Sequence, residues 1–322
     1  MFTITIVIWT SIMLLIRPLI IFSLLLSLSI YAPYKAFFDH VPQKKNLVIN
    51  IERGDTIIDV FSLFLPLNFA NKLFLKIYSL RNDINLIQYG EYQIGNKSIL
   101  DIINLIKSGE TITHKLKINE GLNIYDIENL INDSYLINDC SFLKCIKTNL
   151  SFREGILYPD TYFYKKGMNA SEILIESHYR LENYLNNKFK NKSTYTSLNK
   201  EEVLILASII EKEAGNDDEK SKIASVFLKR LSIGMRLQAD PTIIYGLLPN
   251  FDGDIKKSDI LDKNNKYNTY MISGLPPTPI SISSISSINA SIDSLPGEYL
   301  FFVADSKTSH YFSKTYEEHL NK

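Results

Sequence analysis

A chain of 322 residues, 45% hydrophobic, is long enough for two modest domains once any anchor is set aside. Its 35 basic residues are balanced by 35 acidic ones. That balance excludes the electrostatic footprint of a nucleic-acid binder, which carries a basic excess to offset phosphate charge.

From Phe2 to Phe38 the only charges are Arg17 and Lys35. A spanning helix needs about 20 apolar residues, and the best window runs from Pro18 to Phe38. Pro18 stands there at the first helical position, where its missing N–H costs little. Residues 1–40 are therefore read as a membrane anchor with a span of 18–38. The apolar run Phe2–Ile16 is awkward for a single pass; a start at Met13 would leave the short head MLLIR, a reading that an intact Met1 terminus in mass spectrometry removes. Basic residues do not fix the orientation, because Lys35, Lys44 and Lys45 compete with Arg17. A cleavable signal peptide is the alternative, but the head is barely charged and no A-x-A site follows.

Residues 46–52 (NLVINIE) alternate as a strand does, and Arg53-Gly54-Asp55 then turns the chain, with Asp55 able to cap a helix beginning IIDVFSLF. A second helix covers Phe69–Arg81. GEYQIG is a short strand, followed by the helix SILDIINLIKSG with Ser98 as N-cap and Gly109 as its stop. Residues 46–112 thus form a small α+β unit. The strand THKLKINE opens a larger mixed α/β domain over 113–322, continuing through Glu120-Gly121 into the helix NIYDIENLI. Residues 186–200 read as a solvated helix end and loop. Asn199, with Glu202 three residues on, marks the start of the main helix by a capping box. In SISSISSINASID the isoleucines at 282, 285, 288 and 292 share one helical face.

Cys140 and Cys145 permit a disulfide outside the cytoplasm, but a core of this size does not demand one, and cysteines five apart are more often unpaired. No zinc-ligand pattern accompanies them, and no nucleotide loop or nucleophile elbow is present. No cofactor and no metal are therefore expected.

The chemistry gathers at 206–246, where the apolar helix LASII runs into Glu211 and Glu213. Burial raises a carboxyl pKa by disfavouring the anion, so Glu211 beside Leu and Ile is expected to stay protonated near neutral pH and to act as a general acid. Glu213, two positions on, points elsewhere. Further polar candidates are Glu154, Asp160 and Tyr162 in EGILYPDTY, Gln238 and Asp240 ahead of Pro241, Tyr267, Asn268 and Thr269 in YNTY, and His310 in HYF. Asp240-Pro241 also reads as an N-cap with Pro at the first helical position, and Glu154 or Asp160 as a loop acid capping a neighbouring backbone. Asn268 is the preferred second active-site residue. The rigid Gly274-Leu275-Pro276-Pro277 loop walls the cleft.

Five ordered blocks, EGLNIYDI, REGILYPDTYFY, RLQADPTIIYG, YNTYMISGLPPTPI and FFVADSKTSHYF, resemble those of the endolytic murein transglycosylases, the MltG/YceG-like family. The resemblance implies a LysM-like module over 46–112 and a transglycosylase domain over 113–322. It implies an inner-membrane protein with its N-terminus inside and its bulk outside, acting on peptidoglycan glycan strands, with peptidoglycan synthases as candidate partners. Glu211 aligns with the family's catalytic acid: it protonates the oxygen between MurNAc and GlcNAc, then acts as base on the MurNAc C6 hydroxyl, giving a 1,6-anhydroMurNAc end without water. A hydrolase would need two carboxylates flanking the bond. The segment Ser306-Lys307-Thr308-Ser309 departs from the family's glycine-rich approach to His310. A non-catalytic glycan-binding scaffold and a water-using muramidase, with Glu154 or Asp160 as second carboxylate, stand as competing readings.

Overall fold

The computed structural model describes residues 2–43, 45–84, 87–190, 197–305 and 309–321. The chain divides into two compact units, Met1–Thr113 and His114–Lys322. Residues 306–308, where the departure before His310 falls, and 191–196 of the 186–200 loop lie outside the described residues, as does Lys44.

In the first unit, α1 (Phe2–Asp39) is one continuous helix with Pro18 and Pro33 inside it. Pro18 is therefore not the first helical residue; the apolar run ahead of it is helical too. The stretch Ile20–Asp39 is long and apolar enough to cross a membrane. The strands β1 (Val48–Ile51) and β2 (Gly90–Gln93) pair antiparallel, Val48 opposite Gln93, and turn Ile49, Ile51 and Tyr92 inward. Helix α2 (Ile57–Ser62) is capped by Thr56 in a reciprocal box with Asp59. Asp55, expected to cap it, instead accepts from the Glu52 amide and closes the turn. Helix α3 (Phe69–Arg81) follows, and α4 (Ile99–Ser108) begins at the Ser98 capping box and ends at Gly109, whose φ of 70° suits glycine. Val60, Phe61, Leu75, Ile94, Ile99, Ile102 and Ile103 make the core, which the last turn of α1 joins through Phe38.

In the second unit, β3 (His114–Ile118) pairs antiparallel with β4 (Asp160–Tyr164), Leu116 opposite Tyr162. Between them lie α5 (Ile124–Asn132), capped by Asn123, and a short turn of helix at Ser141–Leu143. Cys140 and Cys145 are bonded to each other, with Cα atoms 5.0 Å apart. Phe142 and Leu143, both at positive φ, bend the chain tightly enough to bring them together, a conformation that spacing alone does not reveal. The remaining helices are α6 (Ala170–Lys190), α7 (Lys200–Glu213), α8 (Lys220–Ser232), α9 (Asp240–Leu247), α10 (Lys257–Ile260) and α11 (Ile285–Asp293). The hairpin β5 (Phe301–Ala304) and β6 (His310–Ser313) and the short α12 (Tyr316–Leu320) close the chain. The α7 start is the expected Asn199–Glu202 capping box.

Helix α7 is apolar on two sides. Val203, Leu204 and Ala207 enter a core shared with β3, β4, α5 and α6, while Leu206, Ile209 and Ile210 enter a second core with α8 residues Ile223, Ala224 and Phe227. Helix α11 starts one turn later than the isoleucine pattern suggests, because Ser284 caps it; Ile282 lies ahead of the helix, and its amide pairs with the Leu122 carbonyl.

Candidate active site

The C-terminal turn of α7 carries its two acids into different surroundings. The Glu211 carboxylate is almost closed to solvent, and its Oε2 accepts from the Ser284 amide at 3.0 Å, the Ser287 hydroxyl at 2.6 Å and the Ser284 hydroxyl, with the Lys220 ammonium at 3.2 Å. Lys220 also donates to the Ser284 and Ser286 hydroxyls and pairs with Asp217 at 2.7 Å. The carboxylate thus sits on the N-terminus of α11, where free amides and the helix dipole favour an anion. Burial pushes the Glu211 pKa up, but the Ser284 and Ser287 bonds and Lys220 together outweigh it, and the group is held below the ordinary glutamate range. This reverses the expected direction: the serines of the SISSISSI run convert an apolar pocket into an anion site.

Glu213 meets the opposite field. It is half-buried, and burial first, then the nearby Asp240 carboxylate, push its pKa to about 7, with Arg230 pulling it partly back. Asp240 accepts from the Tyr270 hydroxyl at 2.7 Å, and burial together with Asp240 and Glu213 pushes that phenol up. Arg230 is buried and held on the Leu300 and Leu237 carbonyls. Asp240 is the first residue of α9 and makes no capping bond of its own, the N-cap being Ala239. Its carboxylate is therefore free to face Tyr270 and Glu213. Gln238, exposed and at φ 50°, stands two residues before it.

The other predicted residues fall into separate roles. Glu154, 4% exposed, accepts from the Ile124 amide and the Gly155 amide, each at 2.9 Å, and from the Tyr245 hydroxyl at 2.8 Å. Burial pushes it to about 7 against those donors. The ring of Tyr245 meets Tyr267 edge-on, and the Tyr267 hydroxyl reaches Thr278 at 2.9 Å.

Asn268 is fully buried and consumed by structure. Its amide donates to the carbonyls of Asp259, Ile260 and Asp262, and its oxygen takes the Tyr270 amide. That leaves it no capacity for a sugar, which corrects its expected place as second active-site residue. Thr269 is likewise buried, bonded to the Ala239 amide and the Thr242 hydroxyl. Asp160 pairs with Arg180 at 2.6 Å, and the buried Tyr162 donates to the Tyr158 carbonyl while Arg180 lies over both rings. The His310 amide donates to the Glu219 carboxylate at 2.7 Å, and the ring Nδ1 lies 2.9 Å from the other oxygen of the same group.

The residues brought together at one place are thus Glu213, Asp240, Tyr270 and Arg230. Tyr270 is the last residue of the YNTY block, whose hydroxyls, amide and ring faces the sequence offers for sugar recognition. Arg230 was not singled out from sequence; one of several basic residues on α8, it gives no signal.

Fold and site together define an α+β protein with a cluster of titratable side chains at the end of a buried helix. The chain belongs to the YceG-like family, whose model matches residues 49–322. It is 29% identical over 303 residues to the endolytic murein transglycosylase of Bacillus subtilis strain 168, covering 86% of this chain and 83% of that protein. Its similarity to the endolytic murein transglycosylase of Streptococcus pneumoniae strain D39 is 30% over 171 residues, or 52% of this chain and 31% of that one. A crystal structure of a yceG-like protein from Listeria monocytogenes shares the fold, with a TM-score of 0.54 and 29% identity over 87% of this chain and 99% of that one.

Proposed function

We propose that the chain is a membrane-anchored endolytic murein transglycosylase that cleaves the MurNAc–GlcNAc β-1,4 bond of peptidoglycan strands without water, and that Glu213, not Glu211, is its general acid and base. The observation that carries this is the contrast between the two carboxyls: Glu211 is held below the ordinary glutamate range by its serine donors and Lys220, whereas Glu213 is pushed to about 7 by burial and Asp240, with no hydrogen bond among the described residues. A general acid must hold a proton to give, and it works best with a pKa near the operating pH.

Protonated Glu213 delivers its proton to the glycosidic oxygen as the bond to the MurNAc anomeric carbon breaks. Charge develops on the sugar as an oxocarbenium-like state, which the Asp240 carboxylate favours electrostatically. The Glu213 carboxylate then takes the proton of the MurNAc C6 hydroxyl, whose oxygen closes on the anomeric carbon. The proton count balances, the products are a free GlcNAc hydroxyl and a 1,6-anhydroMurNAc end, and Glu213 is regenerated protonated. The exposed Gln238 is a further candidate sugar contact, as is Tyr267; Asn268 and Thr269 hold the loop that carries Tyr270, while Asp160, Tyr162 and Glu154 are engaged in structural contacts elsewhere.

Helix α1 anchors the protein in the inner membrane with the bulk outside the cytoplasm. The Cys140–Cys145 bond agrees with an oxidising compartment. The strand-helix-helix-strand-helix unit of 46–112 supports the reading as a LysM-like glycan-binding module, and residues 113–322 as the transglycosylase domain. Mass spectrometry of fragments released from uncrosslinked peptidoglycan by the full chain in detergent tests the reaction. Internal fragments with anhydro ends, lost in Glu213→Gln and retained in Glu211→Gln, are expected. Reducing MurNAc ends would assign hydrolysis, with Asp240 directing water, and intact strands from the native chain would leave a glycan-binding scaffold.

A further inference from the structure

The outward side of α3 is apolar in a way that the core does not use. Phe69, Leu73, Ile77 and Leu80 are all exposed, Phe69 by 84% and Leu80 by 71%. At 3.6 residues per turn these positions fall within an arc of about 80°. Lys72 and Lys76 border that arc on one side and Arg81 on the other, and the helix, FANKLFLKIYSLR, carries no acidic residue. A continuous apolar stripe edged by basic residues needs a partner in a water-soluble setting.

The other side of α3 fixes where that stripe lies relative to the anchor. Phe74 meets the rings of Tyr34 at 5.3 Å and Phe37 at 6.0 Å, and Tyr78 meets Phe38 at 4.8 Å. All three anchor residues belong to the last two turns of the candidate span Ile20–Asp39. With 1.5 Å of rise per residue, Tyr34 is only about 8 Å from the end of α1, which is the depth of the headgroup layer. Below them, residues 20–32 of α1 are exposed throughout, as a lipid-facing helix is. The stripe therefore belongs to a helix whose opposite side is packed directly on the membrane-proximal end of the anchor.

We propose that α3 is an interfacial helix, laying Phe69, Leu73, Ile77 and Leu80 into the anionic lipid surface beside the span, with Lys72, Lys76 and Arg81 at the headgroup phosphates. Helices of this pattern bury their apolar face about 5–10 Å into the headgroup and acyl boundary. The inference rests on the reading of α1 as a membrane anchor.

The test uses the full chain with one introduced thiol at a time, Phe69→Cys, Leu73→Cys or Leu80→Cys on the stripe, Leu25→Cys in the span and Glu52→Cys as an exposed control. The Cys140–Cys145 bond leaves the introduced thiol the one to be labelled. An environment-sensitive dye on each is read after reconstitution of the full chain into vesicles of phosphatidylcholine and phosphatidylglycerol with brominated chains and no other protein. Blue-shifted, quenched emission at 69, 73, 80 and 25, with none at 52, is expected. The quenching at 73 should be reduced by adding Lys72→Glu and Arg81→Glu, or by omitting phosphatidylglycerol. Quenching at 25 with none at 69, 73 and 80 overturns the lipid assignment while leaving the anchor standing, and points the stripe toward a protein. Failure at 25 removes the anchor and the inference with it.

Discussion

Lys220 and Glu211 form an ion pair of 3.2 Å in which both side chains are nearly closed to solvent, 7% and 8% exposed. The pair joins α7 to α8, and through Ser284 and Ser287 it also holds the start of α11. Its value to the protein is architectural.

Glu211→Gln is expected to cost about 3–5 kcal/mol, since removing one member leaves a buried ammonium with only the exposed Asp217 as counter-charge. The Glu211 pKa is depressed on folding. Its contribution is therefore fully present above the unfolded glutamate value and is lost as pH falls through the folded one. Urea unfolding of both proteins from pH 3 to pH 8 checks this: a cost that does not shrink toward acid would show that Lys220 is held by other groups.

Glu213→Gln should reduce turnover by at least about 100-fold, the lower end of what a positioned acid contributes, without loss of stability. The Glu213 pKa is raised on folding, to about 7. Native stability therefore declines as pH rises from the ordinary glutamate range through 7, and the amide variant escapes that decline. Turnover of the native chain should fall above pH 7 as the acid ionises. A pH-rate profile flat from 6 to 9 would remove Glu213 as the donor.

Asp240→Asn takes away a negative charge that raises Glu213. The alkaline limb of the rate profile should then move to lower pH, whereas Tyr270→Phe, which strips Asp240 of a hydrogen bond, should leave a limb but alter its position. The profiles of the two variants, measured beside that of the native chain, decide whether the carboxylate acts on Glu213 through space. An unmoved limb in Asp240→Asn would refute the coupling.

Asn268→Ala should destabilise the protein by about 1–3 kcal/mol by leaving buried carbonyls unpaired, the carbonyls being those of Asp259, Ile260 and Asp262. Thermal melts at several pH values check it, and the pH position of the rate profile should be unchanged because no titrating group is touched. A raised KM with an unaltered melting temperature would return Asn268 to substrate contact.

Much of the fold was legible because caps and periodicity are local. Ser98, Gly109 and Asn199 announce their helix ends, and the alternation of 46–52 and 114–118 announces strands. The site was only half legible. The motif flags both acids of α7, yet which of them is ionised depends on Ser284, Ser287 and Lys220 on one side and on Asp240 and Arg230 on the other. Ser284 and Ser287 arrive from more than seventy residues along the chain, and no pattern within α7 encodes their approach. Asn268 was misjudged for a related reason: an amide in a polar motif reads the same whether it binds a sugar or three backbone carbonyls. The disulfide was hidden because two successive residues at positive φ leave no trace in composition.

Helix α7 supplies side chains to two cores at once. Neither core of the second unit can be dismantled while the other stays intact, because loss of either removes one wall of the same helix. Unfolding of residues 114–322 is therefore expected to be a single cooperative event, without a half-melted species that keeps Glu213 in place.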